Sequence, residues 1–240
     1  MTTPAPLTLE QIDQLLSSGL IVSCQPVDHG PLDTDDVVVR LAKAALAGGA
    51  GGVRIEGAAR VAKVRDAIPD ALIIGIVKRD LADSPVRITP FHEDVEALAT
   101  AGATVIAIDA TQRIRPVPTL ALLKHINQLG KIAMADCSSF EDAERAFAAG
   151  AAIVGTTLSG YTGGPVPSEP DYALLQKFCA YFPRVMAEGR FNTPEHCMKA
   201  REIGAWAVTV GTAITRTEVV TGWFSDAMSR VAPLTTAATN

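Results

Sequence analysis

Aromatic side chains make up only 5% of the 240 residues, and basic side chains are outnumbered, with 21 Lys and Arg against 26 Asp and Glu and a formal net charge of -5. A surface that reads nucleic acid or an anionic membrane needs a basic patch. No cluster of Lys and Arg supplies one, so a small-molecule partner is expected, with no nucleic acid and no membrane. The four cysteines, Cys24, Cys137, Cys179 and Cys197, contain no C-x-x-C pair. Cys24 and Cys137 sit in or beside apolar runs, where reduced thiols are common, and this favours the cytoplasm. His29, His92, His125 and His196 lack any paired ligand spacing, so no metal is expected. Neither G-x-S-x-G nor G-x-x-x-x-G-K-[ST] occurs, which removes a nucleophile elbow and a P-loop. The glycine-rich "AGGAGG" lacks the preceding strand of a dinucleotide fingerprint, and no organic cofactor is expected. The opening "MTTPAPLTLEQIDQLLSSG" has no basic region followed by an apolar one, and no run approaches the roughly 18 apolar residues of a membrane span.

What is present is alternation on a larger scale. Eight short apolar runs can be counted: "GLIVSCQ", "GGVRIEG", "LIIGIVK", "TVIAIDA", "KIAMADC", "AAIVGTT", "RVMAEGR" and "AWAVTVG". They are rich in Val, Ile and Ala with little polar alternation, as parallel strands covered on both faces are. Stretches of helical period such as "DTDDVVVRLAKAALAGG" and "SFEDAERAFAAG" separate them. Eight β/α units in this length predict one domain over 1–240, an α/β fold of the closed (β/α)8 or TIM-barrel class, with a short N-terminal helix. A doubly wound open sheet is the rival, but it rarely needs eight strands. A Gly-Ala pair recurs before the even-numbered runs, at Gly102-Ala103, Gly150-Ala151, Gly204-Ala205 and Gly49-Ala50. It predicts a glycine that ends one helix and turns the chain into the next strand, a structural role.

In such barrels the C-terminal strand ends carry the chemistry. The odd-numbered runs end in Gln25, Lys78, Asp136 and Glu188, four polar groups that alternate strands would bring above one point. Lys78 closes "LIIGIVKRD", an otherwise apolar run, where burial and the neighbouring cations Arg54 or Arg79 would depress its pKa. Arg54, Glu56 and Asp109 add charge at even-numbered strand ends. Glu56 and Asp109 are expected to pair with Arg54 or Lys78, the common fate of a buried carboxylate. The last two runs enter "AEGRFNTPEH" and "VTVGTAITR", each with glycine just before a helix. Backbone N–H groups there predict a phosphate site at Gly189, Arg190, Gly211, Thr212 and Ala213. The loop "SGYTGGPVPSEPD", residues 159–171, has the composition of either a lid or a passive connection.

The segments "LIVSCQP", "IIGIVKRDLADSPVRITP", "IAIDAT", "RPVP", "MADCSS", "VGTTLSGYT", "AEGRFNTPE" and "GAWAVTVGTAITR" closely resemble the N-acetylmannosamine-6-phosphate 2-epimerases of bacterial sialic acid catabolism, from the first strand to the last helix. The resemblance implies a (β/α)8 barrel that converts N-acetylmannosamine 6-phosphate to N-acetylglucosamine 6-phosphate without metal or organic cofactor. It implies that Lys78 and Glu188 are the catalytic pair and that Gln25, Arg54, Asp136 and Arg216 hold the sugar. It assigns Glu56 no role.

The chemistry is consistent with these residue types. A C2 proton beside the open-chain aldehyde is acidic, and its removal leaves an enolate, so acid/base groups are required and no redox agent. Free lysine is neutral in only about one molecule in 2,500 at pH 7, so a base at this position needs a lowered pKa. Two rivals remain open on the residues: a Schiff-base aldolase, which uses the same kind of lysine, and a sugar-phosphate-binding regulator without turnover. One-base and two-base proton transfer also both remain. The C-terminal "TEVVTGWFSDAMSRV" carries Val219, Val220, Trp223, Phe224 and Met228. Some of these are expected to pack on the barrel and the surplus to support a homodimer.

Overall fold

The computed structural model describes residues 7–16 and 19–231. Residues 1–6, 17–18 and 232–240, the ends of the expected 1–240 domain among them, lie outside the described residues. All eight apolar runs are strands: β1 (Leu20–Ser23), β2 (Gly52–Glu56), β3 (Ile73–Ile76), β4 (Val105–Asp109), β5 (Ile132–Asp136), β6 (Ile153–Gly155), β7 (Val185–Glu188) and β8 (Ala207–Val210). Each pairs in parallel with its sequence neighbours, and β8 closes on β1 through Leu20 opposite Val208 and Val22 opposite Val210. The closed, all-parallel barrel excludes the open-sheet alternative, because neither edge is left unpaired.

The helices between the strands are α2 (Asp35–Ala47), α3 (Ala58–Ala67), α4 (His92–Thr100), α5 (Thr119–Gln128), α6 (Phe140–Ala148), α7 (Tyr172–Tyr181) and α8 (Pro194–Ile203), preceded by α1 (Leu9–Leu15) and followed by α9 (Thr212–Thr215) and α10 (Thr217–Ser229). Their starts follow local chemistry. Thr34, Ser139, Asp171 and Thr193 each accept a backbone N–H with the side chain at the N-cap, as short polar side chains do at helix starts. Their ends bear out the Gly-Ala repeat. Gly49, Gly102, Gly150 and Gly204 have φ of 98°, 92°, 99° and 112°, a region that costs glycine little. The following Ala50, Ala103, Ala151 and Ala205 return their N–H to the carbonyl five residues back and are buried.

Strand alternation sorts the core into two layers. Ile55, Ile73, Ile106, Ile108, Val154 and Val208 pack outward against the helices. Ile21, Ile74, Ile76, Ala107, Met134, Ile153, Met186 and Ala207 fill the interior, and Ile12 and Leu16 from the α1 end belong to that same cluster. Beyond the apolar layers, at the C-terminal strand ends, the inward positions become polar: Arg54, Asp109, Asp136, Glu188 and Thr209.

Of the α10 residues expected to divide between packing and surplus, Val219 and Val220 are half-buried. None of its residues is buried, and Trp223, Phe224 and Met228 are 41%, 68% and 75% exposed. Its main element contacts are with α9. Among the described residues, Leu20, Cys197, Val208, Val210 and Ile214 line a mainly apolar cavity of about 560 Å³ beside β8 and β1.

Candidate active site

Lys78 reaches the site on more than a strand end. The chain after β3 turns back on itself, with Lys78 and Ile88 forming an antiparallel bridge and Arg79 N–H donating to Arg87 O. Thr89, fully buried at φ 48°, locks this turn: its hydroxyl donates to Ala107 O and accepts from Val77 N–H. Strand alternation from Ile74 and Ile76 carries Lys78 to the axial side. Burial first, then the cations Arg216 and Arg54, hold its amine below the ordinary lysine range against the opposing pull of Asp28 and Glu56. Arg79, expected to contribute, does not do so. It leaves the axis and pairs with Asp94 on α4 at 2.6 Å, because its position has the opposite strand parity.

Arg54 is the centre of a buried ion network. Its Nη1 donates to Asp136 Oδ1 at 3.1 Å and to Glu188 Oε2 at 2.9 Å, and its Nη2 donates to Asp136 Oδ2 at 2.5 Å. Burial opposes its charge, but Asp136 and Glu188 more than offset that and raise its pKa. Glu188 behaves differently. Burial raises its pKa from 4.5 to about 7, Arg54 opposes the rise, Asp136 adds to it, and Thr209 and Thr157 oppose it. It is therefore a carboxyl group that can both hold and release a proton near neutrality. Its backbone is fixed by Thr156, whose hydroxyl donates to Glu188 O and accepts from Glu188 N–H.

Gln25 and Arg216 meet on the β1–β8 side, where Arg216 Nε donates to Gln25 O and Gln25 Nε2 donates to Ser23 Oγ. At the ends of β7 and β8 the backbone opens toward solvent. Gly189 and Arg190 have φ of 102° and 65°, and Gly211 starts the short α9. Among the described residues no protein acceptor takes the N–H of Gly189, Arg190, Gly211, Thr212 or Ala213. The Arg190 side chain turns to the 159–171 loop. Its Nε donates to Glu169 O and its Nη1 to Ser159 O, and its guanidinium lies 5.2 Å from the Tyr161 ring centre.

The pairing expected for Asp109 is overturned. It binds Arg113 at 2.5 Å and also accepts from the Thr111 hydroxyl and N–H, because all three lie on one turn of chain. Arg54 reaches across the barrel instead, and among the described residues Glu56 accepts only the Lys78 backbone N–H, at 3.3 Å. Sequence reasoning missed Thr157, which donates to Asp136 Oδ1 at 2.7 Å, as well as Thr209 and Arg113. A count of polar residues at the β6 and β8 ends would have flagged the two threonines. Nothing local flags Arg113. Burial raises both the Cys24 thiol, to about 12, and the Cys137 thiol, so neither is a nucleophile near neutral pH.

Comparison with known proteins converges on one description. A family model described as "Putative N-acetylmannosamine-6-phosphate epimerase" matches residues 38–230. A Pasteurella multocida protein described as "Putative N-acetylmannosamine-6-phosphate 2-epimerase" is 53% identical over 223 residues, covering 93% of this chain and 96% of its own. A Klebsiella pneumoniae protein of the same description is 54% identical over 222 residues, covering 92% and 94%. Among solved structures, the N-acetylmannosamine-6-phosphate 2-epimerase from Clostridium perfringens superposes with a TM-score of 0.87 at 35% identity, covering 93% of this chain and 99% of that one. Barrels at 16–19% identity, such as 3-hexulose-6-phosphate synthase at a TM-score of 0.60, share the fold. With the family model covering most of the chain and relatives above half identity along nearly its full length, the chain belongs to the N-acetylmannosamine-6-phosphate epimerase family.

Proposed function

We propose that this protein interconverts N-acetylmannosamine 6-phosphate and N-acetylglucosamine 6-phosphate by moving a proton at C2 of the open-chain sugar. The observation that carries the reading is the pairing of two groups shifted toward neutrality in opposite directions. Lys78 on the β3 side is lowered and Glu188 at the end of β7 is raised to about 7. β3 and β7 stand four strands apart in the ring, so a sugar between them can offer a different face of C2 to each. Neutral Lys78 takes the C2 proton, the electron pair moves into the C1 carbonyl, and protonated Glu188 returns a proton to the other face. Arg54 and Arg216, the cations that act on Lys78, oppose the negative charge that develops on O1. Asp136 and Gln25 orient the hydroxyl and acetamido groups. The unpartnered N–H groups of Gly189, Arg190, Gly211, Thr212 and Ala213 receive the phosphate.

The test is proton NMR of N-acetylmannosamine 6-phosphate with the protein in heavy water. C2-deuterated N-acetylglucosamine 6-phosphate is expected. Covalent trapping by borohydride in the presence of substrate would indicate imine chemistry instead.

The assembly belongs to the same proposal. α10 presents Trp223, Phe224 and Met228 to solvent, and a mainly apolar cavity opens beside β8 and β1. A homodimer in which α10 of one copy covers that cavity in the other buries both surfaces by one symmetric operation. A monomer mass that does not change with concentration in sedimentation would refute it.

A further inference from the structure

The chain leaves β3 at Ile76, runs outward through Lys78 and returns through Ile88 and Thr89 before α4 begins at His92. The return segment is joined to the β4 side of the ring. Asp109 N–H donates to Ile88 O at 3.1 Å and, farther out, Ser84 Oγ donates to Ile114 O at 2.7 Å. Lys78 stands on the β3 side, and the β3–β4 register ends before it, at Gly75 opposite Ile106.

Thr89 spans that opening. Its hydroxyl accepts from Val77 N–H at 3.2 Å and donates to Ala107 O at 2.8 Å, and its own N–H donates to Val77 O at 2.7 Å. One hydroxyl thus stands between a β3 donor and a β4 acceptor, with both of its functions in use. Its backbone is unusual for the residue type. Thr89 is fully buried at φ 48°, an angle strained for a β-branched side chain but not for glycine, and Pro90 after it favours extended backbone at negative φ. Backbone geometry alone would select glycine here, so the hydroxyl is what threonine adds.

The backbone around Lys78 depends on this joint. Val77 is held on both sides by Thr89, Arg79 N–H donates to Arg87 O of the same return segment, and Lys78 N–H donates to Glu56 Oε1 at 3.3 Å. A lysine amine sits at the end of a long side chain, so a small rotation of residues 77–79 is magnified where the proton moves. We propose that Thr89 is a positioning residue for Lys78, which sets the direction in which the amine enters the barrel mouth by tying the end of β3 to β4 through its hydroxyl. The inference rests on the epimerase reading, in which Lys78 takes the C2 proton. Buried between two strands, Thr89 meets no substrate, so its effect falls on proton transfer and leaves binding alone.

The charges that act on the amine come from Asp28 after β1, Arg54 and Glu56 on β2, and Arg216 before α10. Asp109 and Arg113 from β4 and its loop share the adjoining cavity and are paired with each other. An amine that swings out of this setting toward water returns toward the ordinary lysine range, so the limb on which kcat rises with pH moves to higher pH.

The experiment measures kcat and KM for N-acetylmannosamine 6-phosphate across pH, per mole of folded protein, for the full chain and three variants. Thr89→Val keeps the side-chain shape without the hydroxyl, Thr89→Gly removes the hydroxyl and the backbone strain together, and Thr89→Ser keeps the hydroxyl. Thr89→Val and Thr89→Gly should each lower kcat at least about tenfold, with KM within about twofold and the rising limb higher by at least about half a pH unit. Thr89→Ser should retain kcat within about threefold. A residue that serves only the local fold would lose stability and keep kcat and the pH limb; that result, a loss carried by KM, or equal losses in Thr89→Ser and Thr89→Val would overturn the proposal and leave the epimerase reading intact. Absence of turnover by the unaltered protein would overturn both. If Thr89→Val does not fold, Thr89→Gly decides alone, since glycine accepts φ 48° at little cost.

Discussion

Replacing Glu188 by Gln removes a titrating group from a buried network, and the effect on stability can be worked from its surroundings. The carboxyl group rises from 4.5 to about 7 on folding. Between those values the folded protein keeps a proton that the unfolded chain has released, so stability falls as pH rises through this window and stays lower above it. At about 1.36 kcal/mol per pH unit the full loss is on the order of 3 kcal/mol, most of it between pH 5 and pH 8. Glu188→Gln has no proton to lose there. Its amide offers Arg54 Nη1 a neutral partner at every pH in this range. The stability of the variant relative to the unaltered protein should therefore improve by about 2–3 kcal/mol from pH 5 to pH 8. Urea unfolding of both proteins at fixed concentration across that range reads the difference, and contributions from groups distant from the Arg54 network cancel. Two curves parallel to within about 0.5 kcal/mol would refute the assignment of a raised pKa to Glu188.

Three further outcomes are expected. Arg54→Met leaves Asp136 and Glu188 buried without their cation and should cost about 3–5 kcal/mol in urea unfolding; a loss below about 1 kcal/mol would show that the network is not what holds those carboxylates. In heavy water, Glu188→Gln should stop epimerisation but still exchange the C2 proton of one epimer, and Lys78→Met should abolish that exchange. Substantial epimerisation by Lys78→Met would end the role given to this lysine. The unphosphorylated sugar should show kcat/KM lower by at least about a hundredfold, since it lacks the charge-assisted hydrogen bonds of the β7 and β8 loops, and equal values would remove the phosphate site from those residues.

The architecture was legible in the sequence because it rests on local rules. Runs such as "LIIGIVK" and "TVIAIDA" can be covered on both faces only as central parallel strands, and each Gly-Ala pair ends a helix through a backbone angle that glycine reaches at little cost. The candidate residues Gln25, Lys78, Asp136 and Glu188 were legible for the same reason, since a polar group that closes an apolar strand stands at a barrel mouth. Partnership was not legible. Arg54 bonds residues 82 and 134 positions away, and Asp109 takes a near neighbour instead of the lysine one strand over. Which cation meets which carboxylate depends on ring closure and on the direction of each side chain, and both exist only once β8 has joined β1. The same holds for α10. Its apolar residues announce a helix that wants a partner, but which of them its own barrel covers is settled only in the tertiary structure, where Val219 and Val220 are half-buried and Trp223, Phe224 and Met228 stay exposed.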